Sequence, residues 1–160
     1  MRDLESKFVS YSALGTLAEA LHSKRKKIVT TNGCFDLLHW GHMSYLQAAR
    51  ALGDVLICGL NSDSSVKKIK GERRPIFSEV VRSHQLASLE CVDYVAIFQD
   101  ETPVAFLKEV RPAIHVKGGD YRDSEIPERP IVEMLGGKMV FLPFLDGFSS
   151  TSILESLDKL

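Results

Sequence analysis

The sequence predicts an α/β protein built as a doubly wound sheet of about five parallel strands with helices on both faces. Three observations carry that expectation. Short apolar runs alternate along the 160 residues with segments of helical period. The run Asp54-Val55-Leu56-Ile57-Cys58-Gly59-Leu60 is almost continuously apolar, as strands buried on both faces of a parallel sheet are. It ends in Asn61-Ser62-Asp63-Ser64, a string of helix-capping residues.

The elements follow in order. Leu14, Leu17, Ala18 and Leu21 recur at helical spacing before the basic stretch Lys24 to Lys27, which suits the negative end of a helix dipole. Lys27 to Thr31 reads as the first strand and leads into Asn32-Gly33; Tyr45, Leu46, Ala48, Ala49 and Leu52 then mark one face of a helix that stops at Gly53. The apolar run at 54–60 is the second strand, and the polar stretch Lys67 to Arg74 separates it from a helix marked by Val80, Val81, Leu86 and Leu89. Tyr94 to Phe98 is the third strand, Thr102-Pro103 opens a helix through Val110, and Ile114-His115-Val116 is a short fourth strand. Pro130 to Leu135 (helix), Met139 to Leu142 (strand) and Ser150 to Leu157 (helix) close the chain. In such sheets ligands bind at the carboxyl ends of the strands, near the point where strand order reverses.

Composition narrows the class of function. With 44% hydrophobic and 26% charged residues and six prolines, the chain suits a globular domain and not a disordered, collagenous or coiled-coil one. A single domain is expected, with residues 1–26 a helical extension and 27–153 the core. Twenty basic against twenty-one acidic side chains leave a net charge of -1, so no global field draws nucleic acid and an anionic ligand must meet locally placed cations. Apolar runs stay short of the roughly 18 residues of a membrane span, and the first ten residues lack a secretory pattern, so no membrane association and a cytoplasmic location are expected. Cys34, Cys58 and Cys91 are widely spaced, which fits reduced thiols and offers no zinc framework.

Chemistry concentrates in four places. Thr31 to His42 lies between the first strand and its helix: Gly33 and Gly41 allow close backbone approach, the helix start offers N–H groups, and His39 and His42 can point to one side. A phosphate pocket results. Helix capping by the histidines, with Asp36 bonding its own turn, accounts for the same residues, and Asp36, His39 and His42 can alternatively ligate a divalent ion. Gly147 to Ser152 sets four hydroxyls at a helix start, where they serve as caps, as phosphate donors or as both. Lys67, Lys68, Lys70, Arg73 and Arg74, with Arg82 on the next helix, form a basic cluster: a solvated face, or a mobile loop that closes over a polyphosphate through Lys68 or Lys70. Val116-Lys117-Gly118-Gly119-Asp120-Tyr121 ends the fourth strand with glycines and an acid, as a plain turn or a site for a hydroxyl or ion. P-loop and dinucleotide fingerprints are absent.

His39-Trp40-Gly41-His42 and Ser149-Ser150-Thr151-Ser152 together resemble the two signatures of the H-x-G-H nucleotidylyltransferases, a Rossmann-like superfamily. Asn32-Gly33-Cys34-Phe35-Asp36, Asn61-Ser62-Asp63, Lys70-Gly71, Arg74-Pro75 and Lys117-Gly118-Gly119-Asp120-Tyr121 resemble the adenylyltransferase domain that makes ADP-heptose, a likeness running from about Lys27 to Ile153. The resemblance implies transfer of AMP from ATP to D-glycero-β-D-manno-heptose 1-phosphate with Mg²⁺ and release of pyrophosphate, for the lipopolysaccharide inner core. It casts His39, His42, Lys68 and Lys70 as catalytic. It assigns Asn32, Gly33, Cys34, Phe35, Gly41, Asn61, Arg82, Lys117, Gly118, Ser149, Ser150 and Thr151 to the nucleotide and its phosphates. Asp36, Asp63, Arg74, Asp120 and Tyr121 fall to the sugar phosphate, with Asp36 and Asp120 orienting sugar phosphate or metal. No dedicated protein metal site is implied, Mg²⁺ travelling mainly on the ATP phosphates. A homo-oligomer and a separate heptose kinase upstream are implied too. Tryptophan within His39-Trp40-Gly41-His42 is also similar to glycerol-3-phosphate cytidylyltransferases, which keeps CTP as an alternative; a non-catalytic nucleotide-binding module is the second.

Overall fold

The computed structural model describes residues 3–119, 126–143 and 150–157. Two 3-10 turns, Glu5–Lys7 and Tyr11–Ala13, precede α1 (Leu14–Ser23); then come β1 (Ile28–Gly33), α2 (Trp40–Arg50), β2 (Val55–Asn61), α3 (Asp63–Lys70) and α4 (Glu79–Ala87). β3 (Tyr94–Phe98), α5 (Val104–Val110), β4 (Ile114–Gly118), α6 (Arg129–Met134), β5 (Lys138–Leu142) and α7 (Ser150–Leu157) complete the chain. The strands form one sheet in the order β3-β2-β1-β4-β5, with every pairing parallel. The doubly wound sheet expected from the pattern is present, and its order reverses between β1 and β4.

Alternation along the strands sends side chains to two cores. Val29, Leu56, Cys58, Leu60, Val95, Ile114 and Val116 meet Leu46 and Ala49 of α2 and Leu86 and Ala87 of α4. Ile28, Ile57 and Ala96 meet Leu14 and Ala18 of α1, Phe106, Leu107 and Val110 of α5, and Val132 of α6. Each fully buried leucine or isoleucine contributes about 1.5–3 kcal/mol of transfer free energy. β2, buried along its whole length, is the spine between the two layers.

The N-terminal segment is built into this body. Phe8 bridges the edge strand at Val95, and Lys7, 7% exposed, donates from Nζ to the Leu89 carbonyl at 2.9 Å. Gly53 makes the turn out of α2 possible: a Cβ there would lie 2.6 Å from both the Lys27 carbonyl oxygen and Val29 Cγ2. One expectation fails locally. The stretch from Lys67, read as a mobile basic loop, is helical up to Lys70, because Ser62 caps α3 by accepting from the Ser65 N–H and Val66 is buried against the sheet.

Candidate active site

β1 ends at Gly33, on the carboxyl edge of the sheet beside the reversal point. The chain then makes a tight loop in which Phe35 and Leu37 adopt left-handed φ angles of 46° and 51°. Non-glycine residues take that conformation at a cost and need surrounding contacts to hold them there. Phe35 is 5% exposed and its ring lies 5.7 Å from that of His42; the aromatic anchors the loop in the core and braces the histidine.

His39 occupies the N-cap position of α2 with extended backbone (φ -137°, ψ 172°) and makes no side-chain capping bond. Its carbonyl accepts from the His42 N–H at 2.9 Å, and the two imidazoles lie 3.9 Å apart at 33°. Capping is therefore not what the His39 ring does. Burial, with the neighbouring His39 ring, pushes the His42 pKa down to about 4, and burial lowers that of His39. Both rings are neutral near pH 7 and present N–H donors. The His42 Nδ1 is buried without a hydrogen-bond partner among the described residues. Gly41 is buried in the first turn of α2.

The Asp36 carboxylate is held by the chain's own donors. Its carboxylate, 1% exposed, accepts from Arg74 Nε at 2.9 Å and from the backbone N–H groups of Ile76 at 2.8 Å and Phe77 at 3.1 Å. Arg74, also expected at the sugar phosphate, is the other half of this clamp. The Asp36 carbonyl accepts from Ser150 Oγ at 2.6 Å, so the start of α7 is tied to the same loop and the Ser150 hydroxyl proton is already committed.

Arg82 is likewise held by groups of the chain itself. Fully buried, it donates from Nε to the Phe77 carbonyl, from Nη1 to the Cys34 and Asn61 carbonyls at 2.6 and 2.9 Å, and from Nη2 to Asp63 Oδ1 at 2.8 Å. One guanidinium thereby joins the loop after β1, the end of β2 and the entry to α4, which suits its rigid fork. Asp63 is its ion-pair partner, and Asn61 donates to Ser65 Oγ at 2.9 Å. Cys34 is half-buried, its thiol pKa raised by burial against the opposing pull of Lys70, Arg82 and Arg74.

Across the reversal point, Lys117 Nζ lies 2.7 Å from Glu128 Oε1, with Glu128 only 7% exposed, and Gly118 ends β4 in register with Leu142. Asn32 Oδ1 is buried without a described partner. Lys68 and Lys70 are exposed on the last turn of α3. Lys70 acts electrostatically on Cys34, whereas Lys68 lines an open cleft of about 470 Å³ with Gln99 to Thr102, Val104 and Ala105, a cleft that contains neither histidine. Asp120, Tyr121 and Ser149 lie outside the described residues, as does the side chain of Thr151. Among the described residues no group of three His, Cys, Asp or Glu side chains is arranged to hold a metal ion, so the Asp36, His39, His42 metal reading is not met. Nor is any described helix long and apolar enough to cross a membrane.

Residues whose contacts sequence reasoning did not anticipate include Glu128, Tyr45, Thr30, Thr31 and His115. Tyr45 was legible only as an apolar helix position, although a core-facing tyrosine needs a partner for its hydroxyl. His115, fully buried, meets Thr30 Oγ1 through Nδ1 at 2.8 Å.

The chain is 46% identical over 155 residues to the bifunctional protein HldE of Geobacter metallireducens, and 49% identical over 153 residues to that of Pelobacter propionicus. These matches cover 97% and 96% of the chain but 32% and 31% of the relatives, so it spans about a third of their length. A crystal structure of a lipopolysaccharide core biosynthesis protein from Thermoplasma volcanium superposes with a TM-score of 0.62 at 28% identity, covering 75% of this chain and 97% of that one. Pantoate-beta-alanine ligase from Francisella tularensis, at 15% identity and a TM-score of 0.58 over 94% of this chain and 76% of its own, shares the fold. The model of the cytidylyltransferase-like family matches residues 30–155, from within β1 into α7, and this chain belongs to that family.

Proposed function

We propose that the chain transfers AMP from ATP to D-glycero-β-D-manno-heptose 1-phosphate, giving ADP-heptose and pyrophosphate. The observation that carries the reading is the pair of neutral imidazoles 3.9 Å apart and tilted by 33° at the start of α2, beside the reversal point of the sheet. The sequence likeness of the surrounding motifs to the ADP-heptose-forming domain supplies the substrate.

In the reaction an oxygen of the sugar phosphate attacks the α-phosphorus of ATP, the new P–O bond forms in line, and the bond to the β-phosphate oxygen breaks as pyrophosphate leaves. The protein's part is placement and charge stabilisation. His39 and His42 donate N–H bonds to phosphoryl oxygens whose negative charge grows in the transition state. Of the two candidate lysines Lys70 is the one beside the loop, and it neutralises the polyphosphate. First-turn N–H groups of α7, held against Asp36 by Ser150, suit the outer phosphates. Mg²⁺, bound with ATP, would supply charge neutralisation. The sugar 1-phosphate comes from a kinase.

The test is pyrophosphate release with Mg²⁺, crossing ATP or CTP with heptose 1-phosphate or glycerol 3-phosphate. Turnover confined to ATP with heptose 1-phosphate is expected. Turnover confined to CTP with glycerol 3-phosphate keeps the histidine roles and replaces both substrates; nucleotide binding without turnover in any arm makes the chain a binding module. His39→Ala is expected to lose at least about a hundredfold in kcat, and full activity there refutes the mechanism.

A further inference from the structure

β1 and β4 are the neighbours between which the sheet reverses, and they part early. They pair at Val29↔Ile114 and Thr30↔His115, whereas β1 stays in register with β2 as far as Gly33↔Leu60. Val116 lies two residues beyond Ile114, so its carbonyl is aimed to the same side, toward β1. The residue is fully buried, and a carbonyl there needs a donor. Tyr45 of α2 provides it: the phenol donates to the Val116 carbonyl at 2.9 Å, and its oxygen stands 2.6 Å from Thr31 Oγ1. Because the single phenolic proton goes to Val116, the Thr31 hydroxyl is the donor to Tyr45.

We infer that Tyr45 is a strut that replaces the missing ladder bond, fixes how far β1 and β4 open, and thereby positions His42. The link to the histidine is short. Tyr45 lies three residues after His42 on the same helix, so the two are on one face. A hydroxyl pinned to both strands sets the height and rotation of the first turns of α2 over the crevice. On the opposite face, Thr30 and His115 join the strands at the last paired level, so the opening begins just beyond two hydrogen-bonded cross-links. Tyr45 touches no reacting atom in this scheme; it is a positioning residue.

The inference rests on nucleotidyl transfer as the activity, and its test separates the two. Tyr45→Phe, Thr31→Val and the double variant are compared with wild type by pyrophosphate release, ATP-binding calorimetry and amide hydrogen exchange. Tyr45→Phe is expected to lower kcat about tenfold or more while the ATP dissociation constant changes less than about threefold, because misplacement acts chiefly in the transition state. Exchange of the His42 to Leu46 amides is expected to quicken about tenfold. The double variant is expected to be no slower than Tyr45→Phe alone, since both changes break one device. A Tyr45→Phe kcat within about twofold of wild type overturns the inference, as do independent, multiplying losses in the double variant. A kcat loss matched by an equal loss of folded protein, read by circular dichroism, reduces Tyr45 to an ordinary packing residue and overturns it too. A wild type inert with every acceptor refutes the proposed function; the strut is then judged by exchange, and unchanged rates in Tyr45→Phe refute it.

Discussion

Asp36→Asn decides between two roles for the acid in the loop after β1. As a ligand to sugar phosphate or metal, Asp36 would matter to activity and little to folding. The structure gives it three donors instead: Arg74 Nε and the Ile76 N–H on Oδ2, and the Phe77 N–H on Oδ1. Asparagine has the same shape but one acceptor oxygen. Placed at the Oδ2 position, that oxygen serves Arg74 and Ile76, and the amide NH2 then faces the Phe77 N–H, leaving a buried donor unsatisfied at about 1–3 kcal/mol. The attraction to Arg74 is lost as well. Breaking one side of a buried ion pair costs about 3–5 kcal/mol in full burial, and the 16% exposure of Arg74 lets water share the charge, which puts the total near the lower end, about 3 kcal/mol. For a chain of this length that is roughly 6–12 °C in Tm. Urea unfolding of both proteins at pH 7 reads it directly as a fall in midpoint. A loss below about 1 kcal/mol together with abolished turnover refutes the clamp and restores the ligand role.

Arg82→Lys replaces a fork that spans three carbonyls and Asp63 with a single ammonium, and thermal unfolding is expected to show a loss of about 3–5 kcal/mol; a shift within error would mean that the fork is dispensable. Burial, then the charge of Lys117, pushes the His115 pKa down to about 3, below its unfolded value of roughly 6.5. Between those values the unfolded chain binds a proton that the folded chain refuses, so this contribution is intact above pH 6.5 and falls by about 1.4 kcal/mol per unit as pH drops toward 3. His42 acts in the same direction down to about 4. His115→Asn is expected to flatten the slope of urea midpoint against pH by about one proton, and an unchanged slope sinks the assignment. Gly53→Ala forces a methyl against the Lys27 carbonyl and Val29 and is expected to cost about 1–3 kcal/mol in denaturant unfolding. Lys70→Ala is expected to lower kcat about tenfold or more and Lys68→Ala about twofold or less; the reverse order places the polyphosphate on the other side of α3.

The elements were legible because their signals are local. The apolar run of β2, the cap before α3 and the helical spacing of Leu46 and Ala49 each follow from periodicity or capping within a dozen residues. The histidine pair was legible too, since residues three apart at a helix start are neighbours whatever else the chain does. What escaped depends on distance in sequence. Asp36 meets Arg74, Ile76 and Phe77 some forty residues away, and Arg82 meets Cys34 and Asn61; a charged side chain near a suspected phosphate pocket looks the same whether it holds a ligand or holds the loop. Only burial separates the cases. Glu128 and Tyr45 escaped because their importance comes from β4, whose pairing with β1 no local pattern reveals.

These long-range ties give the proposed chemistry its electrostatic logic. Around the carboxyl edge, Asp36, Asp63 and Glu128 are paired with Arg74, Arg82 and Lys117, three carboxylates against three cations, each pair at 2.7 to 2.9 Å. The fixed charges therefore cancel where they stand, and each pair ties two segments of the chain together. The proposed reaction leaves uncompensated binding to neutral donors, the imidazoles of His39 and His42 and the backbone N–H groups of helix starts, and to the exposed Lys70. Neutral donors bind a polyphosphate ground state modestly and gain most as charge accumulates on the oxygens at the reacting phosphorus, which is the differential that accelerates a reaction. A permanent cation buried in the same place would hold substrate and transition state alike. The paired charges keep the donors in position without adding such a cation, so the scaffold and the catalytic groups divide the work by charge state.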